Sequence, residues 1–180
     1  MPRFWDVEGA FSAEECDLLV RTIGSGGGDA APVYGAGAGQ IDRRLRDVRT
    51  LLLEPEPATA WLFERLDTLF AAAGEALARP TAPLGEPVQL LRYDVGSHFL
   101  GWHTDSGFDL TGRRQVSVSV ELSAPEDHDG GCLEIVPETV GRARTLPRGG
   151  ARFFASQALH RVTPVTRGTR YALVAWTGAA

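Results

Sequence analysis

The second half of the chain is a series of short strand-like runs separated by turn residues. No other feature limits the possible folds as much. The runs that follow Pro87 are VQLLRYDV (88–95), RQVSVSVELS (114–123), GCLEIVP (131–137), ARFFAS (151–156), LHRVTPV (159–165) and RYALVAWTG (170–178). Turn signals such as DHDGG, PRGG and TRGT lie between them. Short strands joined by such turns pair antiparallel, so this half predicts a β-sandwich or a jelly roll.

The first half predicts two helices and one strand. SAEE (12–15) has the spacing of a capping box and is followed by apolar residues at helical spacing, which predicts a helix over about 12–23. From Thr59 to Ala78 the apolar residues recur on one helical face, so this helix is expected to pack on a sheet. VRTLLL (48–53) predicts a short strand between the helices.

Residues 24–39 are rich in glycine and alanine, a composition that fits either a phosphate-binding loop or a flexible surface loop. A phosphate-binding loop needs a following Gly-Lys-Ser/Thr, and a dinucleotide site needs a flanking strand and an acidic residue. Neither context is present, so we expect a flexible surface loop, with a mobile flap over a site as the functional alternative. The chain is then one domain, 1–180, in which 1–87 supply helical support and this loop, and 88–180 supply the β core.

Charge and cysteine usage exclude several classes of protein. The formal net charge of −5 argues against a nucleic-acid partner. No apolar run reaches the ~18 residues of a membrane span, and the start of the chain does not have the pattern of a signal peptide. Cys16 and Cys132 lack a CxxC partner, which favours buried thiols in a reducing cytoplasm. All 18 basic residues are arginines, so lysine chemistry is excluded.

The stretch GWHTDSG (101–107) carries two potential metal ligands, His103 and Asp105, two residues apart. Side chains at that spacing on a strand share one face. His160 lies in a strand-like run downstream and is a candidate third ligand. Two histidines and one carboxylate make up the facial triad of non-haem Fe(II) oxygenases, which leaves open positions on the metal. The HxD motif alone is weak, because a histidine on a strand is often structural.

Arg170 strengthens the metal-site interpretation. It follows His160 by ten residues across the TRGT turn, so antiparallel strands would place both side chains toward one cavity. An arginine there suits bidentate capture of the carboxylate of an organic acid.

With these residues the chain resembles the Fe(II)/2-oxoglutarate dioxygenases, most closely the prolyl 4-hydroxylase branch and its bacterial PKHD-type relatives. The resemblance is carried by RYDVGSHFLGWHTD, RRQVSVSVELSAPEDHDGGCLEIVP and LPRGGARFFASQALHRVTPVTRGTRYALVAWTG. It implies a mostly β (α+β) fold: a double-stranded β-helix, or cupin-like jelly roll, with the N-terminal helices packed on one sheet. It also implies roles for the matching residues. Fe(II) would be bound by His103, Asp105 and His160, and 2-oxoglutarate by Arg170, Tyr93, Leu133 and Val162.

The resemblance implies an enzyme that uses Fe(II), 2-oxoglutarate and O₂, with ascorbate as a stimulant. Because Asp105 is present, hydroxylation is favoured over halogenation, for which related enzymes replace the carboxylate by a small residue. The expected substrate is an amino acid or another small polar molecule in a biosynthetic pathway. The alternatives are a prolyl hydroxylase acting on a peptide or protein and, in another class, a non-catalytic cupin-like metal sensor. Arg170 argues against the sensor, which does not need it.

Strand alternation extends the set of pocket residues. If Tyr93 faces inward, Leu91 and Gln89 do so too, and if Glu121 faces inward, Ser119 does so. The inner face of that second strand would then be polar and suited to a polar ligand. The full set of candidate substrate residues is Gln89, Leu91, Trp102, Arg114, Ser119 and Glu121. Core packing is an equal alternative for Trp102.

Glu121 departs from the family, in which many members carry a tyrosine that helps hold the distal carboxylate of 2-oxoglutarate. A glutamate repels that carboxylate unless it is protonated or paired with an arginine. Our hypothesis is that Glu121 binds a cationic group of the substrate. The alternatives are an ion pair with Arg113 or Arg114, or an outward orientation.

Overall fold

The computed structural model describes residues 4–26, 28–32, 41–107, 113–136 and 146–179. The helices are α1 (Ala13–Gly26) and α2 (Ala60–Ala76). The strands of the first half are β1 (Phe4–Val7), β2 (Asp29–Ala30), β3 (Arg46–Asp47) and β4 (Arg49–Leu53). Those of the second half are β5 (Val88–Tyr93), β6 (His98–His103), β7 (Arg114–Glu121), β8 (His128–Gly130), β9 (Leu133–Ile135), β10 (Ala151–Ala155), β11 (His160–Val162), β12 (Val165–Gly168) and β13 (Arg170–Gly178).

The strands form one large antiparallel sheet and two small ones. The large sheet has the order β1-β10-β7-β13-β5-β4-β2. The smaller sheets have the orders β3-β6-β11-β9 and β12-β8. Apolar residues of the large sheet and of the small sheets meet in one buried cluster, so the sheets face each other. This arrangement is a jelly roll with supporting helices and confirms the predicted fold class.

The helices pack on the outer face of the large sheet. Val116, Val118 and Val120 of β7 lie in a buried cluster with Ile23 of α1 and Leu66 of α2. Burying such a side chain stabilises the fold by about 1.5–3 kcal/mol. The alternation predicted for β7, apolar outward and polar inward, is therefore confirmed. No helix in the described ranges is both long enough and apolar enough to span a membrane.

A second buried cluster lies between the large sheet and the small sheets. Leu91, Tyr93 and Ala172 come from the large sheet, and Val162 and Val165 from the small ones. Its partly buried members are Phe99, Leu133 and Val174. This inner space is the region in which the candidate site residues meet.

The structure differs from the expectations in several segments. The run LHRVTPV forms two strands, β11 and β12, because Pro164 between them has no backbone N–H for a sheet ladder. β6, which ends at the histidine of the HxD motif, was not among the predicted strand-like runs. Part of the expected loop 24–39 is regular, since α1 continues to Gly26 and β2 pairs with β4. Residues 33–40 of that predicted loop lie outside the described residues.

Candidate functional site

Three potential metal ligands converge at one end of the inner space. His103 ends β6 and His160 begins β11, and the two residues are direct partners in the antiparallel register. Asp105 follows β6 and is held by its backbone N–H, which donates to the Ser156 carbonyl at 2.9 Å. Nε2 of His160 lies 3.5 Å from Oδ2 of Asp105, and Nε2 of His103 lies 4.0 Å from Oδ1. One ligand atom of each residue lies within 4.8 Å of the others.

Backbone carbonyls set the tautomer of both histidines. Nδ1 of His103 lies 2.8 Å from the Gly101 carbonyl, and Nδ1 of His160 lies 2.9 Å from the Ala158 carbonyl. A carbonyl oxygen only accepts, so each Nδ1 carries the proton and donates it. The lone pair of each Nε2 is thereby directed toward Asp105, as a metal ligand requires.

A hydrogen-bonded pair of serines holds the Asp105 carboxylate in place. The Ser117 hydroxyl donates to Oδ2 at 2.7 Å, and Ser117 and Ser156 are in turn hydrogen-bonded at 2.9 Å. Burial raises the pKa of Asp105, but the two neighbouring histidines and hydrogen bonds from Ser117 and Trp176 outweigh this, so its pKa is lowered. The carboxylate is therefore ionised and ready to bind a cation.

His103 is held in the neutral state that metal binding needs. Burial lowers the pKa of His103 to about 4, and the neighbouring His160 acts in the same direction. The ring of Phe99 stacks on His103 with centroids 3.6 Å apart, and Phe154 packs edge-on against His160 at 4.9 Å. Two imidazoles and one carboxylate fit Fe(II), with three coordination positions left for other ligands.

Arg170 lies at the distal end of the inner space, at the start of β13. It is 1% exposed and is the register partner of Tyr93 on β5. Its guanidinium lies 5.2 Å from the centre of the Tyr93 ring. Nε and Nη2 of Arg170 donate to the two carboxylate oxygens of Glu121 at 2.9 and 2.6 Å. The residue expected to bind a co-substrate carboxylate therefore already holds a carboxylate of this chain.

At the distal end, charge pairing and burial have opposite effects on the pKa of Arg170 and on the pKa of Tyr93. Burial lowers the pKa of Arg170, but Glu121 outweighs this and the pKa is raised, so the guanidinium remains charged. Burial also raises the pKa of Tyr93, so its hydroxyl remains protonated. The distal end is therefore a neutral ion pair beside a neutral phenol.

The structure brings most of the other candidate residues to the inner space. Leu133 and Val162 pack in the inner cluster together with Leu91 and Tyr93. Ser119 is 7% exposed and lies on the same face of β7 as Glu121. These positions follow the predicted strand parity.

Gln89 lies on that inner face too, where it meets an arginine that sequence reasoning missed. Arg46 of β3 donates to Oε1 of Gln89 at 3.4 Å and to the Pro32 carbonyl at 3.0 Å. Its guanidinium lies 4.8 Å from the centre of the Phe99 ring, which itself stacks on His103. β3 is only two residues long, so no periodic pattern pointed to Arg46.

Three of the expected substrate residues have other contacts. Trp102 is adjacent to His103 on β6 and so points to the opposite face, where Arg161 lies over its ring at 4.4 Å. Arg114 forms an ion pair with Glu86 and lies 4.0 Å above the Trp176 ring. The sequence-based alternative that paired Glu121 with Arg113 or Arg114 was therefore wrong. Glu121 faces inward, but both of its oxygens bind Arg170, so it is not a free carboxylate for a cationic substrate.

Curated relatives match part of the chain. A PKHD-type hydroxylase of Synechococcus sp. (strain JA-2-3B'a(2-13)) is 43% identical over 88 residues, which are 47% of this chain and 39% of the relative. One from Delftia acidovorans is 40% identical over 120 residues, which are 62% of this chain and 51% of the relative. The chain thus spans about two fifths to one half of the length of the curated relatives it matches.

Solved structures share the fold at low sequence identity. A Pseudomonas putida prolyl-4-hydroxylase superposes with a TM-score of 0.74 at 19% identity, covering 99% of this chain and 93% of that one. A prolyl hydroxylase from Trichoplax adhaerens, in complex with a hypoxia inducible factor peptide fragment, has a TM-score of 0.74 at 17% identity, covering 98% and 83%. At these identities the likeness shows a shared fold, in agreement with the sheets described above.

The model of one protein family spans the whole β core. It is that of the 2OG-Fe(II) oxygenase superfamily, and it matches residues 88–178, just over half of the 180-residue chain. The matched segment contains His103, Asp105, His160 and Arg170. The chain therefore belongs to the 2OG-Fe(II) oxygenase superfamily.

Proposed function

We propose that this protein is an Fe(II)- and 2-oxoglutarate-dependent dioxygenase that hydroxylates an unactivated C–H bond of an amino acid or other small polar molecule. The observation that carries the proposal is the cluster of His103, Asp105 and His160. Their ligand atoms lie within 4.8 Å of one another, and both Nδ1 atoms are bound to carbonyls. With the proton on Nδ1, each Nε2 offers a lone pair beside the Asp105 carboxylate, which is an acceptor-only cluster that a cation satisfies.

The residues of the inner space have separable tasks in this reaction. His103, Asp105 and His160 hold the iron, which supplies, with the 2-oxo acid and O₂, the oxidising power for C–H hydroxylation. Arg170 and Tyr93 bind the distal end of the 2-oxo acid, while Leu133 and Val162 line it and exclude water. His103 is neutral and Asp105 is ionised, so neither of these ligands has to lose a proton to bind the metal.

The polar groups beside the metal support a small polar substrate. Arg46 and Gln89 form a polar edge next to Phe99, whose ring stacks on the metal ligand His103. A guanidinium in that position suits a carboxylate or another anionic group of the substrate. This replaces the earlier hypothesis that Glu121 holds a cationic group.

Hydroxylation of a prolyl residue in a peptide or protein is the second candidate function. It is favoured by the fold similarity to prolyl hydroxylases, one of which was solved with a bound peptide fragment. A non-catalytic metal sensor is the candidate of another class, and turnover of 2-oxoglutarate separates it from both enzymes.

We further propose that residues 1–180 act as one catalytic domain in the cytoplasm, on a substrate that is neither nucleic acid nor membrane lipid. The net charge of −5 and the two free thiols, Cys16 and Cys132, support the partner class and the reducing compartment.

The test is succinate release from 2-oxoglutarate with Fe(II), O₂ and ascorbate, followed by a mass-spectrometric search for the gain of one oxygen atom. The substrate pool should contain free amino acids, small carboxylic acids and proline-containing peptides in separate reactions. We expect Fe(II)-dependent succinate release and an oxygenated amino acid or acid. Oxygenated peptide alone would favour the second candidate, and metal binding without any 2-oxoglutarate turnover would favour the sensor.

A further inference from the structure

The Arg170–Glu121 pair is fixed in place by its surroundings. Glu121 is 6% exposed, and its strand lies between β10 and β13. The stem of Arg170 packs on Gly131, where an added Cβ would lie 2.8 Å from the arginine Cδ. The side-chain carboxylate thus occupies one of the two bidentate edges of the guanidinium, that of Nε and Nη2.

Among the residues that the structure describes, the cation that is hydrogen-bonded to Glu121 is Arg170. Besides Arg170, the charged and titratable groups around this pair are Tyr93 from β5, which interacts with Glu121, and Cys132 from the turn before β9, which interacts with Arg170. Arg46 from β3 acts on Tyr93 by its charge. Arg152 on β10 is a diagonal neighbour, but its Nε and Nη2 donate to Asp6 at 2.8 Å. A distal carboxylate that reached Arg170 would therefore place two buried carboxylates on one guanidinium.

Two carboxylates that share one buried site do not both remain ionised, because their repulsion raises the proton affinity of the pair. One proton relieves this repulsion and also converts Glu121 from an acceptor to a hydroxyl donor. The protonated side chain then donates to the incoming carboxylate, while Arg170 keeps its charge for it.

We propose that Glu121 takes up one proton from solvent when 2-oxoglutarate binds, so that the affinity for this 2-oxo dicarboxylate depends on pH and is limited by Glu121. This inference rests on the proposed function and assigns Glu121 a role in co-substrate affinity. A 2-oxo acid of the same length without the distal carboxylate, 2-oxopentanoate, does not create the second charge and binds without proton uptake.

The test is isothermal titration calorimetry of the Fe(II)-loaded protein with 2-oxoglutarate under anaerobic conditions. Titrations in two buffers of different ionisation enthalpy count the protons taken up. For the unaltered protein we expect about one proton per 2-oxoglutarate near pH 7, and a Kd that rises by up to tenfold per pH unit. 2-Oxopentanoate should bind with no proton uptake.

The matched variants are Glu121→Gln and Glu86→Gln. Glutamine at position 121 stays neutral, so its Kd for 2-oxoglutarate should be at least tenfold lower than that of the unaltered protein at pH 8, with no proton uptake. Glu86 is also bound by Nε and Nη2 of an arginine, Arg114, but at the opposite end of β7. Glu86→Gln should therefore keep the proton count and the pH dependence.

Proton-free binding of 2-oxoglutarate to the unaltered protein would overturn the inference and leave the proposed function standing. An equal or higher Kd for a folded Glu121→Gln variant would do the same. If neither 2-oxo acid binds any of the Fe(II)-loaded proteins, the proposed function fails and the inference fails with it. The proton count of the unaltered protein decides the question even if Glu121→Gln does not fold.

Discussion

The metal end and the distal end of the inner space direct their polar groups differently. At the metal end, His103, Asp105 and His160 point ligand atoms toward one shared position, and carbonyls and Ser117 hold them from behind. At the distal end, Arg170 and Glu121 point at each other and are both buried.

The two ends of the site therefore differ in whether their polar groups are paired with each other in the ligand-free protein. The metal end contains two imidazoles and one anion that accepts a hydrogen bond from Ser117, so it can stay open without a large electrostatic cost. A buried arginine without a partner would be costly, and Glu121 supplies the partner. The distal end is thus stable without a ligand, and a co-substrate must compete with a group of the protein itself.

Asp105→Ala should give the largest effect, because it removes the carboxylate of the metal end. We expect loss of stoichiometric Fe(II) binding and of all 2-oxoglutarate turnover, with the fold retained. Calorimetric titration of Fe(II) and circular dichroism measure the two properties. Near-normal metal binding by this variant would remove Asp105 from the ligand set.

Arg170→Met should test the stability of the distal end, since it leaves Glu121 buried and unpaired. Breaking a buried ion pair in this way costs about 3–5 kcal/mol of unfolding free energy. The double variant Arg170→Met, Glu121→Leu removes both charges and should recover most of that loss. Urea unfolding of both variants measures the difference, and equal stability of single and double variants would show that the pair is not the stabilising unit.

Lowering the pH should decrease the unfolding free energy of the metal-free protein through His103. The pKa of this histidine is lowered from 6.5 to about 4, so above pH 6.5 it is neutral in both the folded and unfolded states. As the pH falls from 6.5 to 4, the unfolded chain binds a proton that the folded one does not. The folded state then loses about 3 kcal/mol.

The unfolding free energy measured between pH 7 and pH 4 gives this loss, and His103→Asn is the control. The variant should show a flatter pH dependence than the unaltered protein over that interval. An equally steep dependence would place the acid sensitivity elsewhere in the molecule.

Ser117→Ala should have a smaller effect at the metal end. The serine donates to Asp105 at 2.7 Å, and loss of a group that orients a metal ligand lowers metal affinity by about 10–100-fold. Ser119→Ala is the matched control, because Ser119 lies two residues further along the same face of β7. Equal Fe(II) affinity in both variants would show that Ser117 does not orient the ligand.

Much of the fold was predictable because its information is local. Alternating residues in RQVSVSVELS predicted which side of β7 is apolar, and Val116, Val118 and Val120 do pack on the helices. β6 was not predicted, because HFLGWH has no clear alternation and is bounded by weak turn signals. The two-residue strands β2 and β3 depend on pairing with β4 and β6, so nothing in their own residues indicates them.

The candidate site, too, was predictable only as far as its information is local in the sequence. Residue types and spacing identified His103, Asp105, His160 and Arg170 as groups suited to Fe(II) and a carboxylate, while strand parity left the orientation of Glu121 open. Long-range contacts decided the rest, because a side chain's partner depends on strand register and not on its neighbours in sequence. Only the packed sheets showed that Glu121 neutralises Arg170, 49 residues away along the chain, and that Trp102 faces away from the metal end.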